Sequence, residues 1–291
     1  MAKIRVENNA TNWTVGDILA FVHIEKAAGT TFIHILRHNF LLKYLDARPF
    51  SRKSQGLFLG RDLRIARRIV PSLHCIAGHA VKPYSDLRSY DRRIKYITIF
   101  RDPCKRYVSQ YQYWIDRMGK KFSFEEFLEL DETRNYQTRK IAGAEELNRA
   151  IDILESEMLL TGFVDRYDEF LVMLQAKLGG QSFDPRYRRL NEGRGSVSSE
   201  DILNKYRDRI EEVNKIDLEL YHYVLKNIYP RQVDEFHGDL QRRLREFQEW
   251  NARTGPIMWP RYTDFVFRKA YLEPVTGALR LMNGLPYKGS Y

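Results

Sequence analysis

The sequence predicts an α/β fold: a parallel sheet flanked by helices, in a single domain with a C-terminal helical tail. Short, nearly continuous apolar runs recur at residues 18–24, 94–100 and 158–164, as expected of strands buried on both faces. Each is followed by a helical pattern, and this alternation marks a parallel sheet. A chain of 291 residues, 43% hydrophobic and 13% aromatic, is an ordinary folded protein, so disorder as the main state is excluded. A prior of about 150 residues per domain would allow two units, but α/β folds commonly absorb such a length in one. The expectation is one domain over residues 1–291, with a core at 18–229 and an extension at 230–291.

Ile18 to Ile24 is the first core strand. Glu25 to Gly29 then makes a tight turn, and Thr30 to Arg37 begins a helix with a hydroxyl placed to cap its start. Leu73 to Ala77 is a weaker strand that ends at Gly78-His79. Ile94 to Phe100 is a strong one, because β-branched and aromatic side chains suit a pleated, buried surface. Asp102 is a good N-cap and Pro103 suits the first helical position, so a helix should run to about Met118. Within it Tyr107, Tyr111 and Trp114 form a core-type stripe, while Ser109, Gln112, Tyr113 and Asp116 form the opposite face. Phe122 to Leu130 and Glu145 to Glu157 read as helices, Met158 to Val164 as a strand, and Tyr167 to Leu178 as the helix after it. Ser198 to Asp201 supplies a capping box for a helix with Ile202, Tyr206, Ile210 and Val213 on one side. Asp217 to Ile228 and Arg231 to Trp250 read as two more helices, and Thr254 to Tyr291 as a tail packed on the domain.

The formal net charge is +10, from 48 Lys and Arg against 38 Asp and Glu, which favours polyanionic partners without choosing among nucleic acid, anionic lipid, phosphorylated cofactors and acidic glycans. Seven cations, Arg48, Arg52, Lys53, Arg61, Arg64, Arg67 and Arg68, face only Asp62 within residues 48–70. Residues 82–106 and 186–194 are two further basic windows, and the rest of the chain is slightly acidic. Met1 to Gly16 is polar, without the apolar stretch of a secretory signal, and no apolar run approaches the roughly 18–20 residues of a membrane span. The chain therefore reads as cytoplasmic. Cys75 and Cys104 are too few for a disulfide framework and lack metal-ligand spacing, so they read as reduced thiols, and no metal is expected.

Two strand-to-helix junctions carry chemistry. A loop of small residues before a helix aims backbone N–H groups and the positive helix end at one point, ready for phosphate or sulfate. In Glu25-Lys-Ala-Ala-Gly-Thr-Thr31, the backbone of Ala27, Ala28 and Gly29, the Lys26 ammonium and the hydroxyls of Thr30 and Thr31 complete such a site. The lysine precedes the glycine instead of following it, so the pattern is not that of an ordinary ATPase. At the second junction, Arg101-Asp-Pro-Cys-Lys-Arg-Tyr-Val-Ser109, cations again meet a helix start at the carboxyl end of a strand. Ser109 lies about two helical turns after Asp102, so its hydroxyl returns to the face near Arg101 and the two can hold one anion together.

These two motifs, together with Ala77-Gly-His79 and Thr161 to Phe170, resemble the sulfotransferases that use 3′-phosphoadenosine 5′-phosphosulfate (PAPS), especially the branch with the heparan sulfate 2-O-sulfotransferases. The resemblance extends from about Ile18 to Tyr229. It implies a sheet of the phosphate-loop NTPase kind, a saccharide hydroxyl as acceptor, and no bound nucleic acid. It implies further that Lys26, Gly29, Thr30 and Thr31 hold the 5′-phosphosulfate and that Arg101 and Ser109 hold the 3′-phosphate. Arg194, in Asn191-Glu-Gly-Arg-Gly195, resembles the basic loop that closes over the cofactor, and is equally readable as a surface cation. Gln137, Thr138 and Arg139 resemble a stretch that lines the acceptor cleft, or form an ordinary helix surface. Glu25 departs from the pattern, in which proline is common, and a carboxylate beside Lys26 opposes anion binding unless it points away.

Sulfuryl transfer resembles phosphoryl transfer, with a loose in-line transition state. Lys26 would stabilise charge on the leaving phosphate, and a neutral histidine would take the acceptor proton. His79, at a strand end facing the crevice and at the position of a relative's general base, is the choice, with His23 and His34 as fallbacks. The basic windows at 48–70 and 186–194 are expected around the cleft mouth. Two rivals remain: an ATP-dependent phosphotransferase on a related fold, and a non-catalytic module that binds acidic glycan or nucleic acid through its basic face.

Overall fold

The computed structural model describes residues 13–188, 198–254 and 262–287. Five parallel strands, β1 (Ile18–Val22), β2 (Tyr44–Asp46), β3 (Cys75–Gly78), β4 (Ile94–Phe100) and β5 (Met158–Phe163), form one sheet in the order β2-β3-β1-β4-β5. The α/β class expected from the alternating pattern is the class observed. β1, β4 and β5 are buried along their whole length, which is why they read as continuous apolar runs rather than alternating ones.

The helices follow in chain order: α1 (Gly29–Phe40), α2 (Gly60–Ile69), α3 (Leu87–Tyr90), α4 (Pro103–Asp116), α5 (Phe124–Leu128), α6 (Tyr136–Ala142), α7 (Leu147–Glu157), α8 (Tyr167–Lys177), α9 (Ser199–Val213), α10 (Lys215–Tyr223), α11 (Tyr229–Asp234), α12 (Leu240–Thr254), α13 (Tyr262–Phe267) and α14 (Glu273–Met282). Among the described residues no helix is long and apolar enough to cross a membrane. The chain leaves β1 towards β2 and leaves β4 towards β5, so the connections diverge between these two neighbouring strands. A crevice opens at such a switch point, outside the carboxyl ends of the strands. Both strand-to-helix junctions flank it, the first after β1 and the second after β4.

The side chain of Asp102 accepts from the backbone N–H of Lys105 and Pro103 opens α4, as the sequence predicts. The stripe Tyr107, Tyr111, Trp114 packs with Phe124, Phe127, Ile202 and Ile210 in a second core between α4, α5 and α9, and the Ser198 side chain caps α9. Four expectations are corrected. No hydroxyl caps α1: its cap position is Ala28, in the left-handed region at φ 59°, and Thr30 already lies inside the helix. β2 and α2 were not foreseen; β2 is only three residues long, and its strand character comes from pairing with β3. The helix expected over Arg231–Trp250 is two, divided at Gly238 (φ 129°), after which Asp239 accepts from the N–H of Arg242 and starts α12. The helix expected to end at Ile228 continues through a π-turn at Val224–Ile228 into α11. Pro230 lacks an N–H for the regular ladder, and the wider turn absorbs that loss.

The 48–70 window divides. Its loop part lies at the carboxyl end of the sheet, where Ala47 N–H donates to Ala77 O and Phe58 N–H to Ala80 O. Buried Asp62 ties this loop together by accepting from Phe50 N–H, Leu59 N–H and the Ser54 hydroxyl. Arg61, Arg64 and Arg68 instead line the exposed face of α2, where Arg61 donates to the Ser54 hydroxyl and Arg64 to the Tyr90 hydroxyl. The 186–194 window is described only to residue 188, and Arg194 lies outside the described residues.

Candidate active site

The first junction is a strained loop. Lys26 and Ala28 both sit at positive φ (68° and 59°), a conformation that costs most residues about 1 kcal/mol or more and persists where the surroundings impose it. No side chain caps α1, and a helix start of this kind can hold an anion. Gly29 is required by close approach: a Cβ there would lie 1.9 Å from His23 Nε2. Thr30 is exposed and Thr31 is buried.

The Lys26 ammonium sits 4.2 Å from the ring centroid of Tyr113 on α4. Ser109 lies one helical turn before Tyr113 on the same face and is half-buried. The Arg101 guanidinium donates through Nη1 to Lys26 O at 3.0 Å. The structure thus gathers Lys26, Arg101 and the Ser109 face of α4 at the β1/β4 crevice. Burial strips water from Lys26, and the charges acting on it come from Arg101, Arg117 and Arg106; together they push its pKa down to about 8. Arg106 is a contributor that sequence reasoning missed. It is fully buried beneath the junction, 4.7 Å from the ring centroid of Tyr136, and nothing local in the motif distinguishes it from the exposed Lys105 beside it.

Gln137 and Arg139 do not face the crevice as free acceptor contacts. Gln137 is fully buried, and its amide clamps the backbone of Arg101, accepting from its N–H at 3.1 Å and donating to its carbonyl at 2.9 Å. Thr138 is equally buried, with its N–H and hydroxyl on Asp217. Arg139 is bound by Glu145 and Asp131.

His79 stands at the end of β3 with its side chain 28% exposed, and its Nδ1 lies 2.8 Å from Glu25 Oε1. Glu25 turns away from Lys26 towards His79 and towards Lys140 Nζ, 2.8 Å distant, which removes the objection to a carboxylate in this loop. Partial burial would raise the Glu25 pKa, but the His79 hydrogen bond and the Lys140 charge outweigh it and hold it well below the usual range. The fallback His23 is buried and sandwiched between Phe21 and His79, with burial first and His79 second pushing its pKa down to about 3. His34 lies along α1 beside Arg37. Among the described residues no three His, Cys, Asp or Glu side chains are grouped to hold a metal.

No family model matches the chain. It is 31% identical over 111 residues to heparan-sulfate 6-O-sulfotransferase 1-A of Danio rerio, and 30% identical over 115 residues to heparan-sulfate 6-O-sulfotransferase 1 of Gallus gallus. Each match covers 33% of this chain and 27% of the relative, so the chain spans about a quarter of the length of these curated proteins. Over that third, the chain is similar to heparan-sulfate 6-O-sulfotransferases, whereas the sequence motifs resemble the 2-O branch.

Proposed function

We propose that the protein transfers a sulfuryl group from PAPS to a hydroxyl of a carbohydrate acceptor by in-line displacement. The observation that carries this reading is the charge at the crevice: Lys26 is faced by Arg101, Arg106 and Arg117 and lies beside an uncapped helix start. Such a cluster fits a doubly anionic ligand held at both junctions, and the relatives named above are sulfotransferases.

When bound, PAPS supplies the sulfuryl group on a phosphate leaving group. The N–H groups opening α1, with Gly29, Thr30 and Thr31, hold its 5′ end, and Arg101 and Ser109 hold the 3′-phosphate. Gln137 fixes the backbone from which Arg101 extends. Lys26, a compact point charge, neutralises negative charge developing on the leaving side. His79 takes the acceptor proton, a role worth typically about 10² to 10⁴-fold. The countercharge comes from side chains, whereas a phosphotransferase on a related fold would depend on magnesium.

Thermal unfolding in the presence of the desulfated product, 3′-phosphoadenosine 5′-phosphate (PAP), or of ATP with magnesium separates these readings. Stabilisation by PAP is expected. Stabilisation by ATP and magnesium alone would favour a phosphotransferase, and by neither an acidic-glycan-binding module. A screen of neutral and acidic saccharides with labelled donor, read by mass spectrometry, then identifies the acceptor.

A further inference from the structure

Glu25 occupies the phosphate loop, yet no step above uses it. Its Oε1 meets two groups at once, His79 Nδ1 at 2.8 Å and Lys140 Nζ at 2.8 Å. The charged and titratable groups around His79 come from three places. The loop after β1 contributes Glu25 and His23, whose ring stacks on that of His79 with centroids 4.2 Å apart and planes 23° from parallel. The helix α6 contributes Tyr136 beside Glu25, and Lys140, whose Nζ also lies 3.4 Å from His79 O. The segment after β3 contributes Lys82, beside Lys140.

From this arrangement we infer that Glu25 is a positioning residue for His79, fixing its imidazole as the Nδ1–H tautomer so that the Nε2 lone pair faces the acceptor hydroxyl. The inference rests on the reading of His79 as general base. An ionised carboxylate only accepts hydrogen bonds, so the ring nitrogen facing it must carry the proton. Lys140 only donates, and by engaging the same oxygen it keeps that oxygen in place as an acceptor. His23, lying flat against the ring, resists rotation, and the bare Cα of Gly29 gives His23 its room. Glu25 is not itself the base, because it is ion-paired with both Lys140 and His79, its Oε2 is buried, and its pKa is held well below the usual carboxylate range. When His79 takes up the acceptor proton at Nε2, the imidazolium so formed stays paired with Glu25.

Two variants test this. Glu25→Gln keeps an acceptor oxygen, which Lys140 orients. Glu25→Ala combined with Lys140→Met removes the acceptor without leaving a buried ammonium unpaired. Long-range ¹⁵N–¹H spectra of the whole protein, with the His79 signals assigned by their loss in His79→Ala, report the tautomer without donor or acceptor present. Wild type and Glu25→Gln should show Nδ1–H, and the double variant should show mainly Nε2–H. In sulfate transfer, kcat should fall about 10- to 100-fold in the double variant and stay within about threefold in Glu25→Gln, with the KM for the donor unchanged in both. Retention of Nδ1–H by the double variant would overturn the inference. So would a loss in Glu25→Gln equal to that of the double variant, which would make the charge, rather than the acceptor, the essential property. Near-normal transfer by His79→Ala would remove the base assignment, while the spectra would still decide whether Glu25 sets the tautomer.

Discussion

At the scale of single residues, the identity of the site side chains was legible and their partnerships were not. Lys26, His79 and Arg101 stand out because a cation or an imidazole at a strand end has few structural reasons to be there. Glu25 was a puzzle because its partners, His79 and Lys140, are distant in sequence, and no local pattern announces them. Lys26 offers a pH test. With its pKa pushed down to about 8, it is cationic below that value and loses its charge as the pH rises through it. The PAP dissociation constant should therefore rise about tenfold from pH 7 to pH 9, as linkage requires when only the charged form binds. Calorimetry on Lys26→Met should show weaker and pH-independent binding over the same range, and an unchanged slope would show that another group titrates. Gly29 offers a steric one. A methyl group there would meet His23 at 1.9 Å and push its ring off His79, so Gly29→Ala should lower kcat more than thermal stability alone explains.

At the scale of elements, what could be read was whatever one segment decides by itself. β1, β4 and β5 are buried on both faces and declare themselves by composition, and α4 declares itself through Asp102 and Pro103. α6 shows the converse. Its sequence, Tyr136-Gln-Thr-Arg-Lys, reads as a polar surface helix, yet Gln137, Thr138 and Lys140 are buried. The reason is a reciprocal cap formed across the chain. Asp217 accepts from the N–H groups of Gln137 and Thr138, while Asn135 accepts from those of Ile216 and Asp217, so each helix start is satisfied by the other. This lock holds Gln137 against the backbone of Arg101. Replacing Gln137 with Leu removes both bonds to Arg101 and leaves its N–H and carbonyl without that partner, at a cost of about 1–3 kcal/mol. PAP binding should weaken severalfold while kcat at saturating donor changes little, checked by calorimetry alongside steady-state kinetics. A selective loss of acceptor affinity would instead return Gln137 to the acceptor cleft.

At the scale of the whole molecule, the alternating pattern was enough for the fold class, but the C-terminal tail, with its Gly and Pro residues, gave no period to read. Its placement depends on the rest of the protein. Leu272 joins the same buried cluster as the strands, and Tyr271 donates to Ile69 O at the end of α2. Arg280, 5% exposed, donates through Nη1 to Pro49 O at 2.5 Å and through Nε to Pro286 O at 3.1 Å, and Arg52 donates to Gly284 O at 2.6 Å. The tail therefore grips the loop after β2, and that loop bonds in turn to Ala77 and Ala80 on either side of Gly78-His79. Arg52 of the basic 48–70 window thus serves to fasten the tail, which accounts for one cation that no ligand needs to claim. Arg280→Met keeps the bulk but removes the donor from the Pro49 and Pro286 carbonyls, so urea unfolding should show a loss of about 1–2 kcal/mol. Lys26 and Arg101 lie beyond β3 from this contact, so PAP affinity should be unchanged while kcat falls through a loosened His79. A variant that unfolds at the wild-type urea midpoint would mean that the tail and the loop after β2 are held together by other contacts.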